Sequence, residues 1–384
     1  MPGHEIVPTP YYDNGPAPQG NRGFPSRFLK EFTDLAERPP GNDPYMQAFY
    51  AAAIDLAQTN SSFIQLVRGV TQRRESLDPK HFANLFCRGV QYLQINGRQS
   101  AGYPHGFETK TKWKNELEDI FDNNLEGLEQ ILLTKSTTTT VYQRYAGAAT
   151  IMAALFPHTN ALNVADFGCG GNYGLRGLDL QIPFGEFKDH TEDQRVSTLL
   201  TQLPQLDNSI AIDLEIPDDP EIKKWRRACL YPQELVHASQ IDMFEETLKK
   251  SENVRFLQAD LCDLPIGNDS NMVAGQSHDI VIISTLCYQM PEQQQTVLET
   301  AKEILKPDGI IIIQDFARKT GSNTRSLDFN VNWFGEPYSY RNFVLGARTD
   351  WEMKEVLRWE SGRCKSVIPG EDFTLLQAPP PPVA

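Results

Sequence analysis

A carboxylate followed by closely spaced glycines, Asp166, Gly168, Gly170 and Gly171 in NVADFGCGGNYG, closes an apolar run that reads as a buried strand. Glycine lacks the Cβ that keeps other backbones away, so such a turn lets a ligand approach main-chain N–H groups closely. The dinucleotide spacing G-x-G-x-x-G fails, because Tyr173 stands at its third glycine position, and this disfavours a nicotinamide-dependent oxidoreductase. Other apolar runs also end in residues able to do chemistry. SIAIDLE carries Asp213, FLQADLCDLP carries Asp260 and Leu261, IISTLCYQMP carries Ser284 to Tyr288, and GIIIIQDF carries Asp315. The two acceptor oxygens of Asp213 suit a vicinal diol. Tyr288 and Asp315 are the candidates for a general base.

The elements that must position these residues follow from the patterning. LNVADF, NSIAIDLE, VRFLQAD, HDIVIIST and GIIIIQDF are short β-rich runs separated by helical segments, the signature of a parallel sheet. In a doubly wound sheet, ligands bind beyond the carboxyl ends of the strands, where the residues named above stand. The helix before the fifth strand reads from Val297, Leu298, Ala301, Ile304 and Leu305, with Pro307 and Gly309 ending it. Ahead of the sheet, Met46, Phe49, Tyr50, Ala53, Ile54 and Ala57 recur at helical spacing, with Asp43 as N-cap and Pro44 in the first turn. The same start recurs at Asp78 and Pro79, before Phe82, Leu85, Phe86, Val90 and Leu93. A third stripe runs through Trp113, Leu117, Ile120, Phe121, Leu125, Leu128, Ile131 and Leu132. The expected layout is a disordered arm over 1–24, an α-helical domain or cap over 25–135, a Rossmann-like domain over 136–375 and a proline-rich tail over 376–384.

The acid-x-Gly-x-Gly spacing at Asp166, Gly168 and Gly170 resembles that of class I methyltransferases that use S-adenosylmethionine. The resemblance implies an α/β fold of Rossmann-like, doubly wound, mostly parallel type, with S-adenosyl-L-methionine as cofactor. It implies that the loop from Asp166 through Gly168, Gly170 and Asn172 wraps the amino acid end of the cofactor, and that Asp213 holds the ribose hydroxyls. Asp260 would accept from the adenine amine, Leu261 would cover the ring, and Ser284 to Tyr288 would lie beside the sulfonium and the acceptor. AKEILKPDGIIIIQDF is similar to the helix, turn and fifth strand of the same enzymes. Asn172 stands where the family's loop has its third glycine. More closely, YLQINGRQSAGYP, TTTTVYQRYAGAATIMAALFP and DDPEIKKWRRACLYP resemble, in that order, an uncharacterised bacterial domain-of-unknown-function family with a helical front half and a methyltransferase-like second half.

Structural alternatives stand beside these roles. Asp213 could cap the following helix, Asp260 could be a turn carboxylate with Asp263 as its nearest competitor, and Tyr288 could only pack on the pocket. Cys287 reads as a packed thiol and His278 as a surface turn residue. KKWRRACLYP (223–232), the densest basic stretch, reads as the exposed face of a helix. Phe329, Trp333, Phe334, Tyr338 and Tyr340 could form an aromatic lid over the sheet edge.

Composition narrows the partners. With 36 basic against 50 acidic residues the net charge is −14, which repels phosphate backbones. The segment after the fourth strand also lacks the Asn/Asp-Pro-Pro-aromatic signature of nucleobase amine methyltransferases, so the expected acceptor is a small molecule, with a protein side chain second and nucleic acid disfavoured. No apolar run approaches the ~20 residues of a membrane span, the N-terminus lacks a signal-peptide pattern, and the six cysteines have no metal-type spacing. A cytoplasmic protein without a metal site is the expectation.

Overall fold

The computed structural model describes residues 24–75, 77–96, 103–138, 141–157, 159–186, 193–290, 292–319, 327–328, 339–359, 364 and 366–377. Two compact units emerge, one of residues 1–139 with 223–240, the other of residues 140–222 with 241–384. Of the expected terminal segments, 1–23 and 378–384 lie outside the described residues; Phe24 packs against Phe32 and Phe63 with ring centroids 5.8 and 5.1 Å away.

The first unit is helical: α1 (Ser26–Glu37), α2 (Pro44–Thr59), α3 (Ser61–Arg73), α4 (Pro79–Asn96), α5 (Lys110–Asn123) and α6 (Leu125–Thr134). Asp43 caps α2 as its position predicts, one carboxylate oxygen accepting from Tyr45 N–H at 2.8 Å and Met46 N–H at 3.2 Å. Asp78 does the same for α4 through Lys80 N–H at 2.8 Å and His81 N–H at 3.1 Å. The apolar stripes meet in one aromatic core. Phe63 lies between Phe86 and Phe121, with centroids at 4.9 and 5.1 Å, and Trp113 meets Phe49 edge-on at 5.0 Å.

Residues 223–240 complete this unit with most of α10 (Pro220–Ala228) and with α11 (Pro232–Leu235). The expected exposed basic face holds for Lys224, and Lys223 and Arg227 are half-buried, but Arg226 is buried along with Trp225, Ala228 and Cys229. Carbonyls at the end of α10 have no partner within the helix, and side chains of α4 supply one. Gln91 donates to the carbonyls of Ala228 (2.8 Å) and Leu230 (2.7 Å), and Arg88 donates to Leu230 at 2.8 Å. Trp225 Nε1 donates to the Ser136 carbonyl at 2.8 Å, and the second oxygen of Asp43 accepts from Gln233 N–H at 3.0 Å.

The second unit is a Rossmann-like, mostly parallel sheet with helices on both faces. Its strands are β1 (Val164–Phe167), β2 (Ser209–Asp213), β3 (Val254–Gln258), β4 (His278–Ser284), β5 (Leu305–Lys319), β6 (Leu327–Asp328), β7 (Ser339–Gly346), β8 (Lys354–Trp359) and β9 (Val367–Pro369). The order is β3-β2-β1-β4-β5-β7-β8-β9, with β6 paired to β5. The first five strands run parallel, as the patterning predicts, and the pairings from β5 onward are antiparallel. One face carries α7 (Ala146–Leu155), α8 (Tyr173–Asp179), α9 (Gln194–Leu200) and α12 (Ala238–Leu248), while α13 (Gln294–Ile304) packs on the other. Ile280, Ile282, Ile310 and Ile312 face the first group and Ile283, Ile311 and Ile313 the second, each fully buried and contributing about 1.5–3 kcal/mol.

The Pro-Asp-Gly segment ends α13, as predicted, but lies within the span of β5, at a register shift against β4 between His278 and Ile280. A Cβ at Gly309 would stand 3.0 Å from the Asp279 carbonyl oxygen and 2.8 Å from Leu305 Cδ2, so the irregularity favours glycine. His278 departs from its expected surface turn. It is the first residue of β4 and buried, with Ser277 Oγ at 2.9 Å from Nδ1, and burial lowers its pKa to about 4.

Candidate functional site

The chain leaves β1 for β2 on one side, and later returns from β3 to β4 on the other, so the strand order reverses between β1 and β4. Doubly wound sheets bind ligands at such a switch point, beyond the carboxyl ends of the strands. The glycine turn lies there. Gly168 and Gly170 adopt positive φ of 72° and 55°, and Asn172, at φ 53°, sets the start of α8. The turn leans on β2: the Ile212 carbonyl accepts from Gly168 N–H at 2.9 Å and Cys169 N–H at 3.2 Å. Asp213 accepts from Gly170 N–H at 2.8 Å through one oxygen and Glu215 N–H at 3.1 Å through the other. Asp213 thus fixes the glycine turn, while the following helix α10 is capped by Asp219, which accepts from Glu221 N–H at 2.8 Å and Ile222 N–H at 3.1 Å. A Cβ at Gly168 would stand 3.3 Å from Leu286, so the end of β4 closes on the turn as well.

Asp166 is wholly buried; its Oδ2 accepts from Tyr145 O–H at 2.7 Å, and its Oδ1 has no partner among the described residues. Burial pushes its carboxyl up to about 7; the Tyr145 hydrogen bond opposes this shift and the charge of Asp213 adds to it. Tyr145 sits in the 3-10 turn Tyr142–Tyr145, three residues beyond Tyr142, and two glycines three apart on α8 receive the two rings. A Cβ at Gly174 would come within 2.1 Å of the Tyr145 ring, and one at Gly177 within 2.2 Å of the Tyr142 ring. Both amide atoms of the buried Asn172 are also without a partner among the described residues.

Register extends the site across five strands. Phe167 lies opposite Ile212 and Ile283, which sets Gly168 level with Asp213 and Ser284; Ser284 pairs with Gln314, and Gln314 with Asn342. Ser284 Oγ lies 3.2 Å from Tyr340 O–H, and Gln314 donates to the Arg144 carbonyl at 2.7 Å. Arg144 donates to Thr285 Oγ1 at 2.9 Å, and its guanidinium stands 5.3 Å from the Tyr340 ring centroid. Gln314 Oε1 and both amide atoms of Asn342 lack partners among the described residues, although both residues are wholly buried. Buried polar atoms left unpaired cost about 1–3 kcal/mol each, and Asp166 Oδ1, Gln314 Oε1 and the Asn342 amide lie on strands of one sheet.

The remaining predicted residues are more dispersed. Asp260 is exposed and caps the turn Leu261–Asp263 by accepting from Cys262 N–H at 2.9 Å, whereas Leu261 is buried in the core on the α13 face. Asp315 is wholly buried and accepts from Phe316 N–H at 2.7 Å. Cys287 is a packed thiol, pushed up by burial and by Asp315. The side chain of Tyr288 and the aromatic residues Phe329, Trp333, Phe334 and Tyr338 lie outside the described residues; Tyr340 of the same group is buried in β7. Arg144, Tyr145, Gln314 and Asn342 are additions that strand and loop patterning did not single out for this edge. The matched spacing of Tyr142 and Tyr145 with Gly174 and Gly177 was the one available signal.

Among the described residues no helix is long and apolar enough to cross a membrane, and no group of His, Cys, Asp or Glu side chains is placed to hold a metal. No family model matches the chain, and no curated protein matches it. Similar solved structures include the 1,6-didemethyltoxoflavin-N1-methyltransferase of Burkholderia thailandensis with S-adenosylhomocysteine, 17% identical over 56% of this chain and 60% of that one, with a TM-score of 0.25. Phosphoethanolamine N-methyltransferase 2 of Haemonchus contortus with S-adenosyl-L-methionine is 15% identical over 45% of this chain and 29% of the other, TM-score 0.27. An S-adenosylmethionine-dependent methyltransferase of Mesorhizobium loti is 15% identical over 44% and 54%, TM-score 0.23. The chain spans 60% or less of the length of each. At these scores the superpositions add nothing to the strand order already described.

Proposed function

We propose that this chain transfers a methyl group from S-adenosylmethionine to a small-molecule acceptor. One observation carries the reading: the buried carboxylate of Asp166, with one oxygen unpartnered among the described residues, stands beside a positive-φ glycine turn at the switch point of a doubly wound sheet. A buried anionic edge of this kind fits a ligand with positive charge and excess hydrogen-bonding groups. Asp166, Gly168, Gly170 and Asn172 would hold the amino acid end of the cofactor. Asp213 would take the ribose hydroxyls, the two acceptor oxygens of its carboxylate suiting a vicinal diol. Asp260 and Leu261 would border the adenine, and Ser284 would line the side toward the acceptor. When bound, the cofactor's sulfonium supplies the activated methyl group.

The chain's own residues then exclude water, align the acceptor and hold protons. An acceptor that keeps its proton at neutral pH needs a base, and Asp315 or Tyr288 is proposed for that role. The acidic balance of the chain favours a small molecule over nucleic acid. We further propose the layout of arm 1–24, helical domain 25–135, methyltransferase-like domain 136–375 and tail 376–384, a cytoplasmic location, and kinship with the uncharacterised two-part family.

A second reading, a methyltransferase-like sensor or scaffold that binds the nucleotide without turning it over, is favoured by Asn172, whose amide occupies the third loop position wholly buried. Incubation with S-adenosylmethionine carrying a labelled methyl group and a broad metabolite panel separates the two. Label appearing in an acceptor is the expected result; cofactor binding with no transfer to any acceptor supports the sensor and overturns catalysis.

A further inference from the structure

The Tyr145–Asp166 pair does more than fill space. Tyr145 reaches Asp166 from an element outside the sheet, its ring laid against α8 where Gly174 has no side chain. One carboxylate oxygen is thereby fixed at 2.7 Å, while the other, two residues before Gly168 of the glycine turn, is buried without a partner among the described residues. Asp213, tied to the same turn through Gly170 N–H, places a second carboxylate nearby. An ionised Asp166 here is costly while no cation is present, because burial and a like charge both oppose it.

We infer that Tyr145 is a positioning residue of this site and that binding exchanges a proton on Asp166 for a positively charged group of the ligand. The inference rests on the proposed cofactor reading and deepens it. The step balances simply: the Asp166 O–H bond breaks, the proton passes to solvent, and the carboxylate left behind is neutralised by the ligand's cation. Two titratable neighbours act on Asp166 directly, Tyr145 from the 3-10 turn and Asp213 from β2. Cys169 of the loop and Tyr340 of β7 act on Tyr145. Among nearby cations, Arg144 is directed to Thr285, and Arg176 of α8 pairs with Asp218 at 2.9 Å. The carboxyl of Asp166, raised to about 7, agrees with a proton held at mildly acid pH, and the Tyr145 hydrogen bond opposes that rise.

The test is calorimetric titration of the whole chain with S-adenosylmethionine and S-adenosylhomocysteine, at pH 6 and at pH 8.5, in buffers of different ionisation enthalpy. The expected result is close to one proton released per ligand at pH 6 and far less at pH 8.5. Tyr145→Phe keeps the ring and removes the donor, so proton release should persist to higher pH and affinity at pH 7.5 should fall about tenfold, as for loss of a hydrogen bond to a charged group. A structural role alone would leave the proton count of that variant unchanged. Binding without proton release at pH 6 overturns this inference alone, and a Tyr145→Phe proton profile equal to that of the unmodified chain overturns the role of Tyr145. Absence of binding by both sulfur nucleotides overturns the cofactor reading and this inference with it.

Discussion

Replacing Asp166 with Asn should stabilise the ligand-free protein, an uncommon outcome for a change at a buried polar residue. Burial raises the carboxyl from 3.8 in the unfolded chain to about 7 in the fold. A little over three powers of ten in proton affinity corresponds to about 4 kcal/mol. The sign follows from proton binding. Between these two values the folded state holds more protons than the unfolded one, so stability is fully present below pH 3.8 and is lost as pH rises through about 7. The Asp166→Asn variant would have no such loss, and its amide oxygen can still accept from Tyr145. The gain from the substitution should therefore grow from near zero at pH 4 to about 4 kcal/mol above pH 8. Urea unfolding of both proteins across that range measures it directly. A variant no more stable than the parent at pH 8, with an unchanged slope against pH, would refute the claim that Asp166 is a desolvated acid.

Other outcomes follow from the same geometry. Gly174→Ala places a Cβ 2.1 Å from the Tyr145 ring and should cost about 1–3 kcal/mol while separating Tyr145 from Asp166; urea unfolding and the near-ultraviolet signal of tyrosine report both effects. His278, lowered to about 4 in the fold, makes the protein lose about 3 kcal/mol as pH falls from 6.5 toward 4, because the unfolded chain takes up the proton first. His278→Gln should flatten that part of the stability profile. Asp43→Ala removes the α2 cap and the bond from Gln233 together, for an expected loss of about 1–3 kcal/mol in urea unfolding.

The five parallel strands were legible because buried strands write continuous apolar runs, and each run ended where the edge residues stand. The glycine turn was legible for a local reason as well, since few sequences need Gly168 and Gly170 in such short succession. What escaped reading depends on contacts far apart in sequence. Nothing in KKWRRACLYP announces that Gln91 and Arg88, more than 130 positions earlier, take up its carbonyls, so the burial of Arg226 and of the end of α10 had no local signature. No local pattern marks Tyr145, and only the fold brings its hydroxyl to Asp166. Gln314 and Asn342 were hidden in strands whose neighbours are isoleucine, phenylalanine and valine; register alone places them in a row with Ser284 and Asp213. His278 misled because its flanking residues, Ser277 and Asp279, resemble a turn, whereas the ladder with β5 begins at His278 itself.

The measurement that bears most directly on the cofactor assignment is titration of folded, ligand-stripped protein with S-adenosylmethionine and, separately, NAD, alongside the Asp166→Ala variant. The expected result is saturable one-site binding of S-adenosylmethionine, weakened at least tenfold in Asp166→Ala, and no binding of NAD. No heat of binding with S-adenosylmethionine, or equal affinity in the variant, would contradict it.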